Sequence, residues 1–280
     1  MPTTTAATLA MGKATREAYG EALLEVGTEN KNIIVIDADL AKSTFSWTFG
    51  KVYPERFFNI GIQEANMVGI ASGLASSGKI PFISSFAAFI LCKGFDQLRM
   101  GAAYPKLNVK VAGSHGGISI GEDGGVQQIG VEGARACALP GFIVCVPSDE
   151  HTMREAVRAA AQHDGPVYLR LGRPKTHIVH EANVHFEFGR SIQLRDGKSL
   201  TIVANGLLVA QALMAADTLA KKGVEARVLD MHTIKPLDTA ALERASHETG
   251  AFVVAEEHMH HGGLGSAVAQ ALVAGTPAPG

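Results

Sequence analysis

Short, almost wholly apolar runs alternate along this chain with longer segments of helical period. The apolar runs lie at 33–36, 81–84, 109–112, 142–146 and 167–171 and, after a polar break, at 200–204, 226–229 and 252–255. Helical patterns occupy 13–26, 64–76, 150–162 and 207–222. Hydrophobic strands that alternate with helices are typical of mostly parallel sheets covered by helices. The sequence therefore predicts an α/β protein.

The polar break divides the predicted strands into two groups. Residues 174–198 are polar and carry three histidines, at 177, 180 and 185, for which we find no functional explanation. A chain of 280 residues with 46% hydrophobic residues is long enough for two ordinary α/β domains. We place the first domain at 1–185 and the second at 186–280, each with a mostly parallel sheet covered by helices.

Composition excludes several classes of partner. A net charge of −2 gives no reason to expect nucleic acid or an anionic membrane. Cys92, Cys137 and Cys145 each stand alone in an apolar segment, which indicates core thiols in a reducing compartment. No cationic start leads into an apolar core, and the longest apolar run, near 80–91, is too short to span a bilayer. We expect a cytoplasmic protein.

One carboxylate, Glu64, stands in the first turn of a predicted helix of small and apolar residues. Positions such as Ala65, Gly69 and Gly73 have so little bulk that we expect other backbone to pack closely and bury the helix. The helix N-terminus favours the ionised form of a buried carboxylate, and apolar walls favour the neutral form. Such a group suits proton exchange with a ligand nitrogen. A capping glutamate satisfied by backbone is the alternative.

Polar residues and glycines gather after the predicted strands of the first domain. In open α/β sheets, ligands bind beyond the carboxyl ends of the strands. The first domain is therefore the better candidate for chemistry. The residues in question are Asp37, Asp39, Ser84, Ser85, Phe86, Gly113, Ser114, His115, Arg170 and Arg173.

Three motifs are ambiguous when taken singly. The pair Phe86 and Phe89 has the spacing of an ordinary helix face in a core. The acidic, glycine-rich segment 121–125 is either a turn or a weak cation site, and it lacks the ligand pattern of a calcium loop. The histidines within 258–261 look metal-like, but the glycines that follow them favour a strand-to-helix turn. We predict no metal site in this chain.

The order of these motifs is more specific than any one of them. Ala38-Asp39-Leu40, Asn59 to Glu64, Ser85 to Phe89, His115 and Gly121 to Gly124 follow one another as in the pyrimidine-binding half of transketolase. Asp230 to Asp238 and Glu256 to Ser266 resemble the family's C-terminal domain. The resemblance covers nearly the whole chain. It implies a subunit that moves a two-carbon ketol unit from a ketose phosphate to an aldose acceptor.

The resemblance also implies a cofactor, thiamine diphosphate, and the residues that contact it. Glu64 matches the glutamate that hydrogen-bonds N1′ of the aminopyrimidine. Sharing that proton promotes the imino tautomer, which removes the thiazolium C2 proton and makes the ylid. Phe86 and Phe89 match the aromatic wall against the pyrimidine. Asp39 matches a carboxylate beside the thiazolium.

Substrate contacts follow from the same resemblance. Arg16, Ser43, His115 and Arg173 match the group that holds a sugar phosphate, and Asp123 matches the residue that reads a substrate hydroxyl. Familiar transketolases carry a histidine shortly after the Gly-Glu-Asp-Gly loop. Here Gln127 and Gln128 are both candidates for that position. An amide donates a hydrogen bond but does not shuttle a proton, so donor specificity or rate is expected to differ.

One family motif is absent from the sequence, the Gly-Asp-Gly…Asn signature that binds the divalent metal on the cofactor's diphosphate. The chain therefore resembles the C-terminal half of a split transketolase. We expect an N-terminal partner subunit to supply the diphosphate site and Mg²⁺ or Ca²⁺, in an α2β2 assembly. Relatives continue beyond the last residues here, so we expect the C-terminal domain to lack its last elements.

Two alternatives remain open. Another thiamine-diphosphate enzyme, such as the β subunit of a 2-oxo acid dehydrogenase or a deoxyxylulose-phosphate synthase, shares the domain order or the glycine turn. The phosphate-binding set argues against the dehydrogenase subunit, which binds a short 2-oxo acid. A non-catalytic paralogue for assembly or regulation is the second alternative. It has no need for a buried carboxylate beside an aromatic pair.

Overall fold

The computed structural model describes residues 9–275, which form thirteen strands and eleven α-helices. The strands are β1 Met11–Ala14, β2 Ile33–Asp37, β3 Phe57–Asn59, β4 Ile80–Phe86, β5 Lys110–Ser114, β6 Ile143–Cys145, β7 Val167–Leu171, β8 Lys175–His177, β9 Ile192–Arg195, β10 Leu200–Ala204, β11 Ala226–Asp230, β12 Thr233–Lys235 and β13 Phe252–Ala255. The helices are α1 Thr15–Glu29, α2 Ala41–Thr44, α3 Trp47–Val52, α4 Glu64–Ser76, α5 Ala87–Lys93, α6 Phe95–Gln97, α7 Glu132–Ala138, α8 Glu150–Gln162, α9 Leu208–Ala220, α10 Thr239–Glu248 and α11 Leu264–Ala274. A π-helical turn, Leu98–Ala103, follows α6.

Seven strands form the larger sheet, in the order β12-β6-β7-β5-β4-β2-β3. All neighbours are parallel except the edge pair β12–β6. The central strands β2, β4 and β5 are buried almost throughout, because helices cover both faces. Their carboxyl ends, at Asp37, Phe86 and Ser114, meet at one edge of the sheet.

The smaller sheet has the order β13-β10-β11-β9, with only β9 antiparallel. Both sheets are thus mostly parallel, and the predicted α/β class is confirmed. One of the strands that the sequence did not predict crosses between the halves of the chain: β12, in the second half, pairs with β6 at the edge of the larger sheet. The proposed boundary at 185/186 stays a prediction.

Two apolar layers sandwich the larger sheet. On one face, α1 and α8 pack together over residues such as Tyr19, Leu23 and Met153. On the other face, α4 and α5 form a layer that continues into the second domain through Leu229 and Leu264. The core therefore crosses between the domains without a break.

Helix α4 is less buried than the sequence suggested. Glu64, Met67, Val68 and Ala71 face the core, but Gly69 and Gly73 are exposed, and a Cβ on either would meet nothing within 4 Å. The small residues therefore make an open face on this chain instead of a close intramolecular contact.

The thiols are also only partly as predicted. Cys145 is buried and Cys137 is half-buried, but Cys92 is exposed because it lies outside the buried stripe of α5, which includes Ile90 and Leu91. Between residues 9 and 275, no helix combines the length and apolar character needed to cross a bilayer. The sequence also led us to expect that the C-terminal domain lacks its last elements. Residues 276–280, at the end of that domain, lie outside the described part of the chain.

Candidate functional site

Glu64 begins α4 and is buried, with 2% of its surface exposed. Lys93, in the last turn of α5, places its Nζ 3.2 Å from Glu64 Oε2. Ser85, near the end of β4, donates its hydroxyl to Oε1 at 3.4 Å. In the described structure, the partners of the carboxylate are therefore these side chains and not the backbone of its own helix. Lys93 is half exposed, whereas the carboxylate that it pairs with is buried.

An aromatic wall stands beside this carboxylate. Phe86 ends β4, and Phe89 lies in the first turn of α5; their rings are stacked with centroids 5.6 Å apart. The imidazole of His115 lies against the other side of Phe86, at 3.9 Å between centroids. Lys93 Nζ is 4.6 Å from the Phe89 ring centre. The wall connects the buried carboxylate with the end of β5.

His115 follows β5 in the left-handed conformation, with φ +62°. Its Nδ1 is 2.7 Å from Ser114 Oγ, and its Nε2 is 3.3 Å from a guanidinium nitrogen of Arg16. Burial, followed by the positive charge of Arg16, lowers the pKa of His115 to about 4. The imidazole is therefore neutral at pH 7, and the positive charge here resides on arginines.

Arg16 comes from the first turn of α1. It donates to the carbonyl oxygen of Ser43 at 3.0 Å, and its Nε is buried with no hydrogen-bond partner in the described structure. Burial, followed by repulsion from Arg173, lowers the pKa of Arg16 below its usual range. Two cations close enough to repel each other favour an anion between them.

Arg173 and Asp123 approach each other across the site. Arg173 donates to the carbonyl oxygen of Ile120 at 2.9 Å, and its Nε is 4.0 Å from Asp123 Oδ2. Asp123 is exposed on the glycine-rich loop. Asp123 is also among the charges that act on His115 and Arg16.

Asp39 lies at the other end of the group, after β2. Its backbone is left-handed, with φ +65°, and its carboxylate accepts a hydrogen bond from Asn59 Nδ2 at 3.1 Å. Asn59 Oδ1 in turn accepts from the Asp39 amide at 3.1 Å. A cavity of about 490 Å³ opens here, with Asp39, Ser43 and Trp47 in its wall.

A buried polar network fixes the turn between Asp39 and Ser43. Asp37 accepts the hydroxyls of Thr44 and Ser46, both at 2.8 Å, and the Leu40 amide at 2.6 Å. Burial raises the pKa of Asp37, while these three donors act against the rise. The sequence indicated Asp37 only as a polar residue after a strand, and its partners carry no local signature.

Gln127 and Gln128 lie in a turn whose amides both donate to Gly124 O, at 3.2 and 3.1 Å. Both residues are half-buried. Their strand-like neighbour Ile129 bridges to Gly117 and closes the loop.

Comparison with known proteins identifies the family. The model described as "Transketolase, pyrimidine binding domain" matches residues 11–177, and "Transketolase, C-terminal domain" matches residues 189–279. The chain belongs to the transketolase family. Membership implies the use of thiamine diphosphate.

Several transketolase-family proteins are similar over most of their length. A "Putative transketolase C-terminal section" of Methanocaldococcus jannaschii is 42% identical over 93% of this chain and 82% of its own. The "6-deoxy-6-sulfo-D-fructose transketolase subunit SqwH" of Clostridium sp. (strain MSTE9) is 40% identical over 94% and 82%. A solved "Split gene transketolase, inactive beta4 tetramer" is 48% identical, with a TM-score of 0.89 over 96% of this chain and 87% of that one.

The structure brings most of the expected transketolase residues into one connected group. Contacts run from Glu64 through Lys93 to the aromatic pair and on to His115, Arg16 and Ser43, and Arg173 and Asp123 form a separate pair. Lys93 was not expected, because nothing in the sequence shows that the end of α5 returns to the start of α4. In residues 9–275, no three His, Cys, Asp or Glu side chains are close enough to share a metal ion.

Proposed function

We propose that the chain is the C-terminal subunit of a two-component transketolase. It transfers a two-carbon ketol unit from a ketose phosphate to an aldose acceptor, with thiamine diphosphate as cofactor. The observation that carries this proposal is one continuous group: a buried carboxylate, a stacked aromatic pair, and a cluster of two arginines with a neutral histidine.

The residues present fit the aminopyrimidine half of thiamine diphosphate. That ring is flat and apolar on its faces and carries a nitrogen acceptor on its edge. The stacked pair of Phe86 and Phe89 offers an aromatic surface, and the buried Glu64 offers a carboxyl group next to it. When bound, the cofactor supplies a nucleophilic carbon that cleaves and forms the bond next to a carbonyl group.

We assign the protein's own part of this chemistry to five residues. Glu64 holds and exchanges a proton at the ring nitrogen N1′, and Phe86 and Phe89 orient the ring and exclude water. Asp39, which Asn59 holds in place, is assigned to the thiazolium side. Lys93 pairs with Glu64 in this structure, and the ring nitrogen takes its place at the carboxylate when the ring binds.

The anionic end of the sugar is assigned to the arginine cluster. Arg16 and Arg173 neutralise the charge, and His115 and Ser43 add hydrogen bonds. Asp123 accepts a hydrogen bond from a substrate hydroxyl. Gln127 or Gln128 occupies the place near the ketose donor and acts as a hydrogen-bond donor without transferring a proton. A hydrogen bond to a charged group contributes about 1.5–3 kcal/mol.

The remaining machinery is assigned to a separate N-terminal subunit. The similar proteins named a "C-terminal section" and a "subunit" support a split enzyme, and the related β4 tetramer is described as inactive. The partner binds the cofactor diphosphate with Mg²⁺ or Ca²⁺. The assembly is α2β2, and the enzyme works in the cytoplasm.

A sulfonated ketose is a second candidate for the donor. The relative that is 40% identical is named for 6-deoxy-6-sulfo-D-fructose. A sulfonate and a phosphate both present oxygens of negative charge to Arg16 and Arg173. Parallel assays of the reconstituted complex with a ketose phosphate and a sulfoketose, with one aldose acceptor, decide between them.

The other two readings predict different results in the same assay. A 2-oxo acid dehydrogenase β subunit would act on a 2-oxo acid and has no use for two arginines beside His115. A deoxyxylulose-phosphate synthase would join a 2-oxo acid to an aldose phosphate, and a non-catalytic paralogue would show no turnover with any partner.

Replacing Glu64 with Gln tests the proposal directly. Glu64→Gln keeps the shape of the side chain and its contact with Ser85 but removes its ability to exchange a proton. We expect kcat of the reconstituted complex to fall by about 10²–10⁴-fold. The melting temperature and the assembly with the partner should stay close to those of the unmodified protein.

Asp96→Asn is the matched control. It also converts a carboxylate that pairs with a cation, but Asp96 is exposed and pairs with Arg99 of the π-helical turn. Its kcat should be unchanged. Full turnover in Glu64→Gln would contradict the role assigned to Glu64, and turnover with a 2-oxo acid alone would contradict the transketolase reaction.

A further inference from the structure

Residues 117–130, called here the 117–130 loop, carry Asp123 and both glutamines but have little structure of their own. Apart from the pairing of Gly117 with Ile129 at its two ends, the internal hydrogen bonds are short-range turns, such as Gly121 N to Ile118 O at 3.2 Å and Gly124 N to Gly121 O at 3.2 Å. Most positions from 121 to 126 are exposed. The position of the loop is therefore set by contacts with other parts of the protein.

Besides Arg173, which donates to the carbonyl oxygen of Ile120, the second domain makes such a contact. Glu257 follows β13, and its two carboxylate oxygens both bind Ser119. The Ser119 amide donates to Oε1 at 2.8 Å, and the Ser119 hydroxyl donates to Oε2 at 3.0 Å. Hydrogen bonds to an ionised carboxylate are stronger than neutral ones. One side chain of the second domain thus holds the first turn of the loop at two points.

The backbone of Glu257 is itself held by the first domain. Arg170 donates to the Glu257 carbonyl oxygen at 2.8 Å and to Glu132 Oε1 at 2.7 Å. Gly117 is packed so closely here that a Cβ would lie 2.8 Å from both Glu257 Cδ and Arg170 Nη2, and its φ is +86°. A side chain at 117 would push the carboxylate away from Ser119.

The far end of the loop is tied to the same segment. The amide of Met259 donates to the carbonyl oxygen of Gly130 at 2.8 Å. Residues 257–259 therefore contact both the entrance and the exit of the loop. A shift of this segment would move Ser119 and Gly130 together.

We propose that Glu257 is a positioning residue for the substrate: through Ser119 it fixes the 117–130 loop, which carries both glutamines and holds Asp123 beside Arg173. The identity of the substrate rests on the proposed function, whereas the ordering of the loop by Glu257 does not. The second domain thereby contributes to substrate specificity without touching the substrate.

Amide hydrogen exchange of the full chain, measured by mass spectrometry, tests the ordering. Glu257→Ala removes both hydrogen bonds, so peptides that cover 117–130 should exchange roughly tenfold faster. Glu257→Gln should restore most of the protection, because its carbonyl can accept from the Ser119 amide and its NH₂ can donate to the hydroxyl.

Glu256→Ala is the matched control. Glu256 also accepts two hydrogen bonds, from the amides of Leu264 and Gly265, both at 2.8 Å, but it does not touch the loop. Exchange should accelerate at the start of α11 and not in 117–130. Unchanged exchange of the loop in Glu257→Ala, or equal acceleration in both alanine variants, would overturn the proposal.

Kinetics of the reconstituted complex distinguish a positioning role of Glu257 from a general structural role. Glu257→Ala should raise KM for the ketose phosphate by roughly tenfold while thiamine diphosphate affinity and melting temperature change little. Equal losses of cofactor and substrate affinity would indicate a merely structural role and overturn the proposal. If the complex has no transketolase activity at all, the proposed function fails, whereas hydrogen exchange still decides the role of Glu257.

Discussion

At the scale of single residues, His115 lies beside the arginines assigned to the substrate anion but is itself neutral at pH 7. Burial first, and then the charges of Arg16 and Arg173, hold the pKa of His115 at about 4. An anion placed among these groups would remove part of the repulsion and raise that pKa. Binding an anion and binding a proton are therefore thermodynamically linked.

The link gives a prediction for sulfate, whose charge does not change between pH 8 and 5. Because a bound anion favours the protonated imidazole, sulfate affinity should increase as the pH falls toward 5. Calorimetry in buffers of different ionisation enthalpy should show proton uptake on binding. His115→Gln should remove both effects, and pH-independent affinity of the unmodified protein would contradict the prediction.

In the absence of an anion, the lowered pKa of His115 should also affect the free energy of unfolding of the chain. The pKa of His115 is lower in the folded state than the ordinary value near 6.5, so the unfolded chain binds more protons between about pH 4 and 6.5. This histidine therefore favours unfolding as the pH falls through that window. The contribution is fully recovered above pH 6.5.

Some residues of the site could be predicted from the sequence and others could not. Glu64, the two phenylalanines and His115 stand in or beside recognisable motifs, and the structure brings them together. Lys93 and Asn59 could not be assigned a role, because each acts through a partner about 20–30 residues away. Such pairs depend on how neighbouring elements fold back, which a local pattern does not contain.

At the scale of elements, the predictable strands were the buried ones. All eight predicted apolar runs overlap observed strands, and all but the edge strand β13 are largely buried, because a strand covered on both faces must be apolar along its length. The missed strands, β1, β3, β8, β9 and β12, are three or four residues long and lie at edges or in a two-stranded ribbon. Their pairing is decided by distant chain segments and not by their own composition.

Glycines in two helices of similar length give an element-scale prediction. Gly20, in the middle of α1, is packed against Phe45, and a Cβ would lie 2.6 Å from the Phe45 carbonyl oxygen. Gly69, in the middle of α4, has nothing within 4 Å. Gly20→Ala should lower the free energy of unfolding by about 1–3 kcal/mol, because the turn that carries Ser43 must move.

Gly69→Ala should raise the free energy of unfolding of the chain by about 0.5–1 kcal/mol, because alanine favours the helix and meets no obstacle. Urea denaturation of both variants, followed by circular dichroism, measures the two changes. Equal effects of the two substitutions would show that the open face of α4 is not open in solution.

At the scale of the whole molecule, a buried polar cluster joins the domains beside their continuous apolar core. Asp230, at the end of β11, accepts hydrogen bonds from Ser148 Oγ at 2.6 Å and from His180 Nε2 at 2.8 Å. Asp149 accepts from the amides of Val179 and His180, both at 2.9 Å. The segment between the domains is therefore anchored from both sides, which gives His180 a structural role.

His180 makes the docking of the domains sensitive to pH. Burial alone would lower the pKa of His180, but the hydrogen bond and charge of Asp230, with the charge of Asp149, leave it above its ordinary value. A raised folded pKa gives stability that is complete below the unfolded value near 6.5 and is lost as the pH rises through the folded value. His232, beside Asp230, has a lowered pKa, so its protonation affects stability in a separate pH range, below 6.5.

The free energy of unfolding should therefore decrease as the pH rises above 6.5, and His180→Gln, which keeps a donor for Asp230 but cannot take up a proton, should not show this decrease. His185→Gln is the matched control, because His185 lies in the same segment but is exposed. Urea denaturation from pH 6 to 9 measures all three proteins. If His180→Gln follows the pH dependence of the unmodified protein while His185→Gln abolishes it, the buried cluster is not what couples the domains to pH.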